Sequence, residues 1–167
     1  MCNEFYMKLK INDQVPDTEI FHLVDGEPQT INIREILGDS KIILFGLPGA
    51  FTSTCSKLHL PGYVANAEKI KSKGIDKIFC ISVNDPHVMN AWGELNNVKN
   101  KVTMLSDPYL LFTKAIGAEV DRNSKGMGIR SNRYAMVIEN LKVINVKVEQ
   151  ETKQCGLSSA EGILDII

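Results

Sequence analysis

An excess of charge of either sign is missing from this chain. Nineteen Lys and Arg stand against twenty Asp and Glu, a formal net charge of -1. There is thus no basic footprint for nucleic acid or an anionic membrane surface, and the expected partners are small or neutral. Long apolar runs are missing too. The longest, Ile42 to Phe51, is broken by glycine and proline and falls far short of the roughly 20 residues that span a bilayer. The opening MCNEFYMKLK has neither a secretory apolar region nor an Arg/Ser-rich transit pattern, so a soluble, cytoplasmic protein is expected, organellar only if a transit peptide has been trimmed from it. Cysteine is scarce: the four at 2, 55, 80 and 155 make no dense disulfide framework and no pairing of metal-ligand type. His22, His59 and His87 are scattered without ligand spacing, and neither a metal nor an organic cofactor is expected. Repeats, low-complexity segments and linkers are absent as well. The 167 residues, 44% hydrophobic, read as one domain spanning the whole chain, 1–167.

What is present alternates apolar runs with amphipathic stretches, which predicts an α/β fold with a mostly parallel centre. KIILFGL (41–47) and KIFCISVN (77–84) are continuous apolar runs, as strands covered on both faces should be. Between them Leu60, Tyr63, Val64, Ala67 and Ile70 recur at helical spacing until Gly74 supplies a stop, which completes a βαβ unit. Asp85–Pro86 and Asp107–Pro108 each read as an N-cap followed by proline at the first helical position, with VTMLS (102–106) a short strand between those helices. RYAMVIEN and KVINVKVEQ (133–150) meet at Asn140–Leu141 and predict an antiparallel hairpin at the sheet edge. Ser158 to Glu161 reads as a capping box opening a short terminal helix.

One thiol stands out. Cys55, in GLPGAFTSTCSKLHLPG (46–62), falls just past the carboxyl edge of a central strand, in the first turn of the next helix. Parallel sheets place ligand sites at that edge, and a helix start favours the thiolate. Thr52 and Thr54 add hydroxyls within one turn; Pro48 and Pro61 bracket the segment, and Pro61 predicts a kink or loose first turn. A small apolar filler flanked by ordinary caps is the competing account of Cys55. Other motifs fail. Position 61 is proline where a phosphatase loop needs arginine, no CxxC is present, and GMGIRS lacks the third glycine of a dinucleotide fingerprint.

Pro48-Gly-Ala-Phe-Thr52-Ser-Thr-Cys55 resembles the Pro-x-x-x-Thr-x-x-Cys signature of peroxiredoxins, and GLPGAFTSTCSKLHLPGY is similar to the type II, or peroxiredoxin-five, subfamily. ISVND (81–85), AWG (91–93), Asp107–Pro108 and GMGIRSNRYAMVIEN (126–140) also resemble it in order and spacing, from about Val15 to the terminal helix. The resemblance implies a thioredoxin-like fold, a central mixed β-sheet flanked by helices. It implies a thiol peroxidase acting on hydrogen peroxide and small alkyl hydroperoxides, and commonly a homodimer, for which Leu47, Phe51, Tyr109 and Phe112 are candidate apolar contacts. Cys55 then takes the role of the thiolate that becomes a sulfenic acid. Thr52 holds the peroxide, and Arg133 polarises its oxygens, with Arg130 the alternative. Backbone N–H groups of Thr54 and Cys55 complete the cradle, Pro48 shields the thiolate, and His59 is either a peroxide contact or a surface histidine. An external thiol, from glutathione and glutaredoxin or from thioredoxin, is the first expectation for recycling. Cys155 in its polar loop comes second. Cys80 comes third, because four residues separate it from Asn84, about 13 Å below the sheet edge. Cys2 is given no role. A redox sensor or holdase in which Cys55 oxidation signals without efficient turnover is the alternative from another class.

Overall fold

Ile42, Ile43, Leu44 and Phe45 are all inaccessible to solvent, and a strand buried on both faces belongs in the middle of a sheet. The computed structural model, which describes residues 7–167, places them there. Strand β1 (Glu19–Val24) forms a hairpin with β2 (Glu27–Asn32), and a short helix α1 (Ile33–Leu37) leads into β3 (Lys41–Gly46). The chain continues through helix α2 (Leu60–Ser72), β4 (Lys77–Ser82), α3 (Pro86–Leu95), β5 (Thr103–Ser106) and α4 (Leu111–Ala115). Strands β6 (Glu119–Asp121) and β7 (Ile129–Ser131) pair with each other outside the main sheet. Then follow β8 (Tyr134–Glu139), β9 (Lys142–Val148) and α5 (Ala160–Leu164).

The seven-stranded sheet runs in the order β2-β1-β5-β4-β3-β8-β9. Only its centre is parallel, β3 with β4 and β4 with β5; β8 joins β3 antiparallel and β1 joins β5 antiparallel. This is the mixed sheet of the thioredoxin-like fold. The period of two along each strand divides the core. Ile43, Phe45, Ile78, Cys80, Ala135 and Val137 face the layer of α2, α3 and α5, together with Cys55, Tyr63 and Trp92. Ile42, Leu44, Phe79, Ile81, Met136 and Ile138 face the opposite layer with Ile33, Leu37 and Phe112. No helix of the described residues is long and apolar enough to cross a membrane.

The β8–β9 hairpin lies at the edge as expected. Asn140 and Leu141 have φ of 51° and 61°, the left-handed pair that a two-residue turn of the type matching strand twist requires. Asp85 caps α3 by accepting from the Val88 N–H, with Pro86 as the first helical residue. Three expectations are displaced. Helix α4 begins at Leu111 and not after Pro108: Pro108 and Tyr109 form a turn closed by Leu110 N–H to the Asp107 carbonyl (3.1 Å), and Leu110 sits at φ 61°. Asp107 still caps that helix, reaching forward to Phe112 N–H, Thr113 N–H and the Thr113 hydroxyl. The cap of α5 is Ser159, which accepts from Gly162 N–H; Ser158 turns inward to another task. Strand β4 ends at Ser82, so Cys80 lies two residues inside it, about 7 Å below the edge at 3.3 Å per residue, and not four. Asn84 is past the strand because its side chain is drawn into the neighbouring loop, accepting from Ala50 N–H (2.8 Å) and the Ser82 hydroxyl (2.7 Å).

Candidate active site

The segment after β3 leaves the sheet through Leu47-Pro48-Gly49-Ala50 and reverses at Phe51, whose φ is 63°. Gly49 leaves room there for the end of the Arg130 side chain, whose Nη1 would stand 2.8 Å from a Cβ at this position. The helix starts next. Its first i→i−4 hydrogen bond runs from Ser56 N–H to the Thr52 carbonyl (2.9 Å), so the N–H groups of Ser53, Thr54 and Cys55 precede the ladder and have no intrahelical acceptor. Cys55–His59 is a π-helical turn, closed by Leu60 N–H to the Cys55 carbonyl. The cause is sequence-local: Pro61 has no N–H to donate, so the i→i−4 pattern cannot be kept through this turn. The loose first turn expected from Pro61 is this bulge.

Cys55 is fully buried. Its Sγ accepts from Arg133 Nη2 at 3.1 Å. Arg133 immediately precedes β8 and shares parity with Ala135 and Val137, which pack in the same cluster as Cys55; side chains two apart on a strand leave on one face. Its other nitrogens are also engaged: Nε donates to the Thr152 carbonyl (2.8 Å) and Nη1 to His59 Nδ1 (2.8 Å). Arg133 is only 1% exposed, and among the described residues no carboxylate is paired with it; the ion pair recorded there is Lys153–Glu151. Arg130 is elsewhere, with Nε on the Met127 carbonyl and Nη1 3.4 Å from the Pro48 carbonyl.

A cavity of about 240 Å³ has Pro48, Thr52, Thr54, Thr152 and Arg133 in its wall; the fully buried Cys55 does not line it and is reached through Arg133, which bonds its Sγ. The Thr52 hydroxyl donates to the Gly49 carbonyl (2.7 Å), which commits its proton and leaves oxygen lone pairs as acceptors. The Thr54 hydroxyl donates to the Lys153 carbonyl (3.2 Å), so that side chain ties down the opposite loop. His59 departs from both expectations, because it neither lines the cavity nor reaches the surface: it is fully buried behind Arg133. Its Nε2 bonds the Ser158 carbonyl (3.1 Å) and its Nδ1 meets Arg133. A carbonyl only accepts and a guanidinium only donates, so His59 is neutral with the proton on Nε2. Its pKa is lowered from 6.5 to about 3, chiefly by burial and then by the Arg133 charge, with the Ser158 hydrogen bond opposing.

The residues that sequence reasoning missed lie in the strap 149–158. Its carbonyls at Thr152, Lys153 and Ser158 hold Arg133, Thr54, His59 and Tyr63. The strap is shaped by the buried Glu149, whose Oε1 accepts from Gly156 N–H (2.8 Å), Ser158 N–H (2.7 Å) and the Ser158 hydroxyl (2.8 Å). The signal for Glu149 was thin: a lone acid at the end of a strand pattern. Cys155 rides on the strap, half-buried, and burial pushes its thiol up to about 11. Burial also raises the Cys80 thiol well above its usual value. Cys55, Cys80 and Cys155 are all free thiols; Cys2 lies outside the described residues.

Residues 10–164 match the Redoxin family model. Peroxiredoxin-2D of Arabidopsis thaliana is 45% identical, over 93% of this chain and 96% of the relative. The chain belongs to the peroxiredoxin family. A chloroplastic peroxiredoxin-2E-2 of Oryza sativa subsp. japonica is 40% identical over 93% of this chain and 71% of that protein. Among solved structures, a reduced peroxiredoxin of Vibrio vulnificus in complex with hydrogen peroxide is 41% identical, with a TM-score of 0.89 over 94% of this chain and 98% of that one. As a peroxiredoxin the protein is a thiol peroxidase, an antioxidant oxidoreductase that reduces peroxide at the expense of a thiol.

Proposed function

We propose that Cys55 is the thiol that attacks the peroxide, that Thr52 and Arg133 complete the reacting site, and that hydrogen peroxide and small alkyl hydroperoxides are the substrates. The observation that carries this reading is the guanidinium of Arg133, buried without a carboxylate among the described residues and 3.1 Å from Cys55 Sγ. An uncompensated buried cation costs several kcal/mol. Negative charge on the sulfur completes the pair, and a charged donor suits an anion better than a thiol.

In this reading Thr52 accepts a hydrogen bond from the peroxide O–H through the lone pairs that its bond to Gly49 leaves directed outward. The sulfur attacks the terminal oxygen as the O–O bond breaks. Two electrons pass from sulfur to oxygen, giving the sulfenic acid and an alkoxide or hydroxide that takes a proton from water. Arg133 and the free N–H groups of Thr54 and Cys55 donate to the oxygens as their charge grows, where such contacts strengthen most. Pro48, buried at the cavity wall, limits water beside the sulfur. His59 is a positioning residue that holds Arg133.

An external thiol, glutathione with glutaredoxin or thioredoxin, is proposed as the reductant. This is supported by the raised thiols of Cys80 and Cys155, since a protonated thiol is a poor nucleophile, and by the engagement of the strap that Cys155 would have to leave. A homodimer is also proposed. Of the four apolar candidates, Leu47 and Phe112 are fully buried in the core, whereas Phe51 is 55% and Tyr109 70% exposed, so the latter two are the contacts. The two core halves share one seven-stranded sheet, which supports a single domain.

The test is stopped-flow oxidation by hydrogen peroxide. Cys55→Ser is expected to lose peroxidase activity with the fold intact, and Arg133→Met to lower the second-order rate more than tenfold, equivalent to about 1.4 kcal/mol or more. Turnover by Cys55→Ser, or a normal rate in Arg133→Met beside a collapsed one in Arg130→Met, would refute the assignment.

A further inference from the structure

The chain as a whole carries a formal net charge of -1, yet the wall of the cavity at Arg133 holds Arg122, Lys125, Lys153 and Arg133 and, among the described residues, no carboxylate. Arg133 is committed to the sulfur, Thr152 and His59. The other three are not consumed by the site. Glu151 lies 3.4 Å from Lys153, but both side chains are largely exposed, where such a pair holds weakly. Arg122 is anchored through Nη2 on the Thr152 hydroxyl, and its Nε is buried with no hydrogen-bond partner. A cation fixed at one end with a buried donor to spare is an incomplete anion site.

Size points the same way. A water molecule takes about 30 Å³ of liquid, and hydrogen peroxide is only slightly larger, whereas the cavity is about 240 Å³. Most of it lies unfilled when the smallest substrate is bound at the thiol. Met127 and Pro48 give part of the wall an apolar lining, suited to the carbon body of a larger substrate.

We propose that this cavity binds a carboxylate, and that organic hydroperoxides bearing one are preferred over neutral hydroperoxides of the same shape. The proposal rests on the reading of Cys55 as the attacking thiol. The sulfur takes the terminal oxygen of the hydroperoxide; the S–O bond forms, the O–O bond breaks and the carbon-bound oxygen leaves as an alkoxide that water protonates. The carboxylate is unchanged and lies against Arg122, Lys125 and Lys153. A cleft lined by one sign of charge concentrates ions of the other and raises their association rate, steeply so at low salt.

The test compares cumene hydroperoxide with its para-carboxylate, in which the charge is remote from the O–O bond. Cys55 oxidation is followed by stopped flow at 10 mM and 500 mM salt, and the rate ratio is normalised to that of β-mercaptoethanol. The expected normalised ratio is about tenfold in favour of the carboxylate at low salt, falling towards one at high salt. It should also fall towards one in Lys125→Gln/Lys153→Gln, whose rate with hydrogen peroxide stays at the wild-type value. A low-salt ratio of one or less, or a ratio that the double variant leaves unchanged, overturns the proposal while the peroxidase reading stands. Failure of Cys55 to form a sulfenic acid with any of the three peroxides overturns both.

Discussion

His59 makes folding depend on pH in a window that can be worked out in advance. Its folded pKa is about 3 against 6.5 unfolded, so between those values the unfolded chain binds a proton that the folded chain refuses. Stability from this group is complete above 6.5 and is lost as pH falls below it. Between pH 7.5 and pH 5.0 the loss is about 2 kcal/mol, since one pH unit of unequal protonation is worth 1.36 kcal/mol. The perturbation is His59→Gln, which keeps a neutral polar group in place and removes the titration. Urea unfolding is measured for wild type and variant at both pH values and at one protein concentration, because association would otherwise enter. The variant is expected to be less stable at pH 7.5, having lost the fit between Ser158 and Arg133. What tests the reasoning is the difference of differences: wild type should lose about 2 kcal/mol more than the variant on acidification, all other titrating groups being common to both. Equal losses would mean that His59 is protonated in the folded protein, and the account of how Arg133 is held would fail with it.

Two further outcomes are expected. Thr52→Val should lower the second-order rate with hydrogen peroxide about tenfold through loss of one hydroxyl contact while the urea midpoint moves little; a wild-type rate by stopped flow removes Thr52 from the site. Glu149→Ala leaves three donors, Gly156 N–H, Ser158 N–H and the Ser158 hydroxyl, without their acceptor, at a cost of about 3 kcal/mol or more. It should both lower the urea midpoint and slow Cys55 oxidation, and a slowed rate at an unchanged midpoint would contradict the role of Glu149 as the shaper of the strap.

The parts of the fold readable from sequence were those with local causes. The runs 41–47 and 77–84 announced central strands because burial on both faces leaves no room for polar alternation, and the Asn140–Leu141 turn followed from two strand patterns meeting across two residues. The first hairpin was overlooked although its signal was present: Asp25 and Gly26 have φ of 51° and 81°, the positive pair that an Asp–Gly turn favours. Its strands escaped notice because β2 reads EPQTIN with most side chains exposed, and an edge strand of that composition lacks apolar periodicity. The caps at Asp107 and Ser158 were misplaced for a related reason. Asp107 does accept from backbone N–H groups of the helix, but the turn closed at Leu110 moves the helix start downstream; the Ser158 N–H and hydroxyl donate to the buried Glu149, which leaves the cap to Ser159.

The site divides along the same line. Cys55, Thr52 and the π-helical turn lie within ten residues of Pro61 and follow from local backbone chemistry. The choice of Arg133 over Arg130 came from resemblance, but it has a physical counterpart: strand parity sends residue 133 to the face where Ala135 and Val137 pack with Cys55. The strap has no such signature, since it contributes mainly backbone carbonyls, and any residue supplies a carbonyl. Thr152, Lys153 and Ser158 reach groups between 19 and 99 positions away in sequence, contacts that exist only once β8 and β9 have set the strap across the helix start. The chemistry proposed for Cys55 is therefore written locally, and the position of the cation proposed to serve it is written in the topology. A substitution that opens the strap, as Glu149→Ala does by removing the acceptor of Gly156 and Ser158, should disarm the thiol with every predicted site residue intact, because Arg133 keeps its place only while that strap is closed.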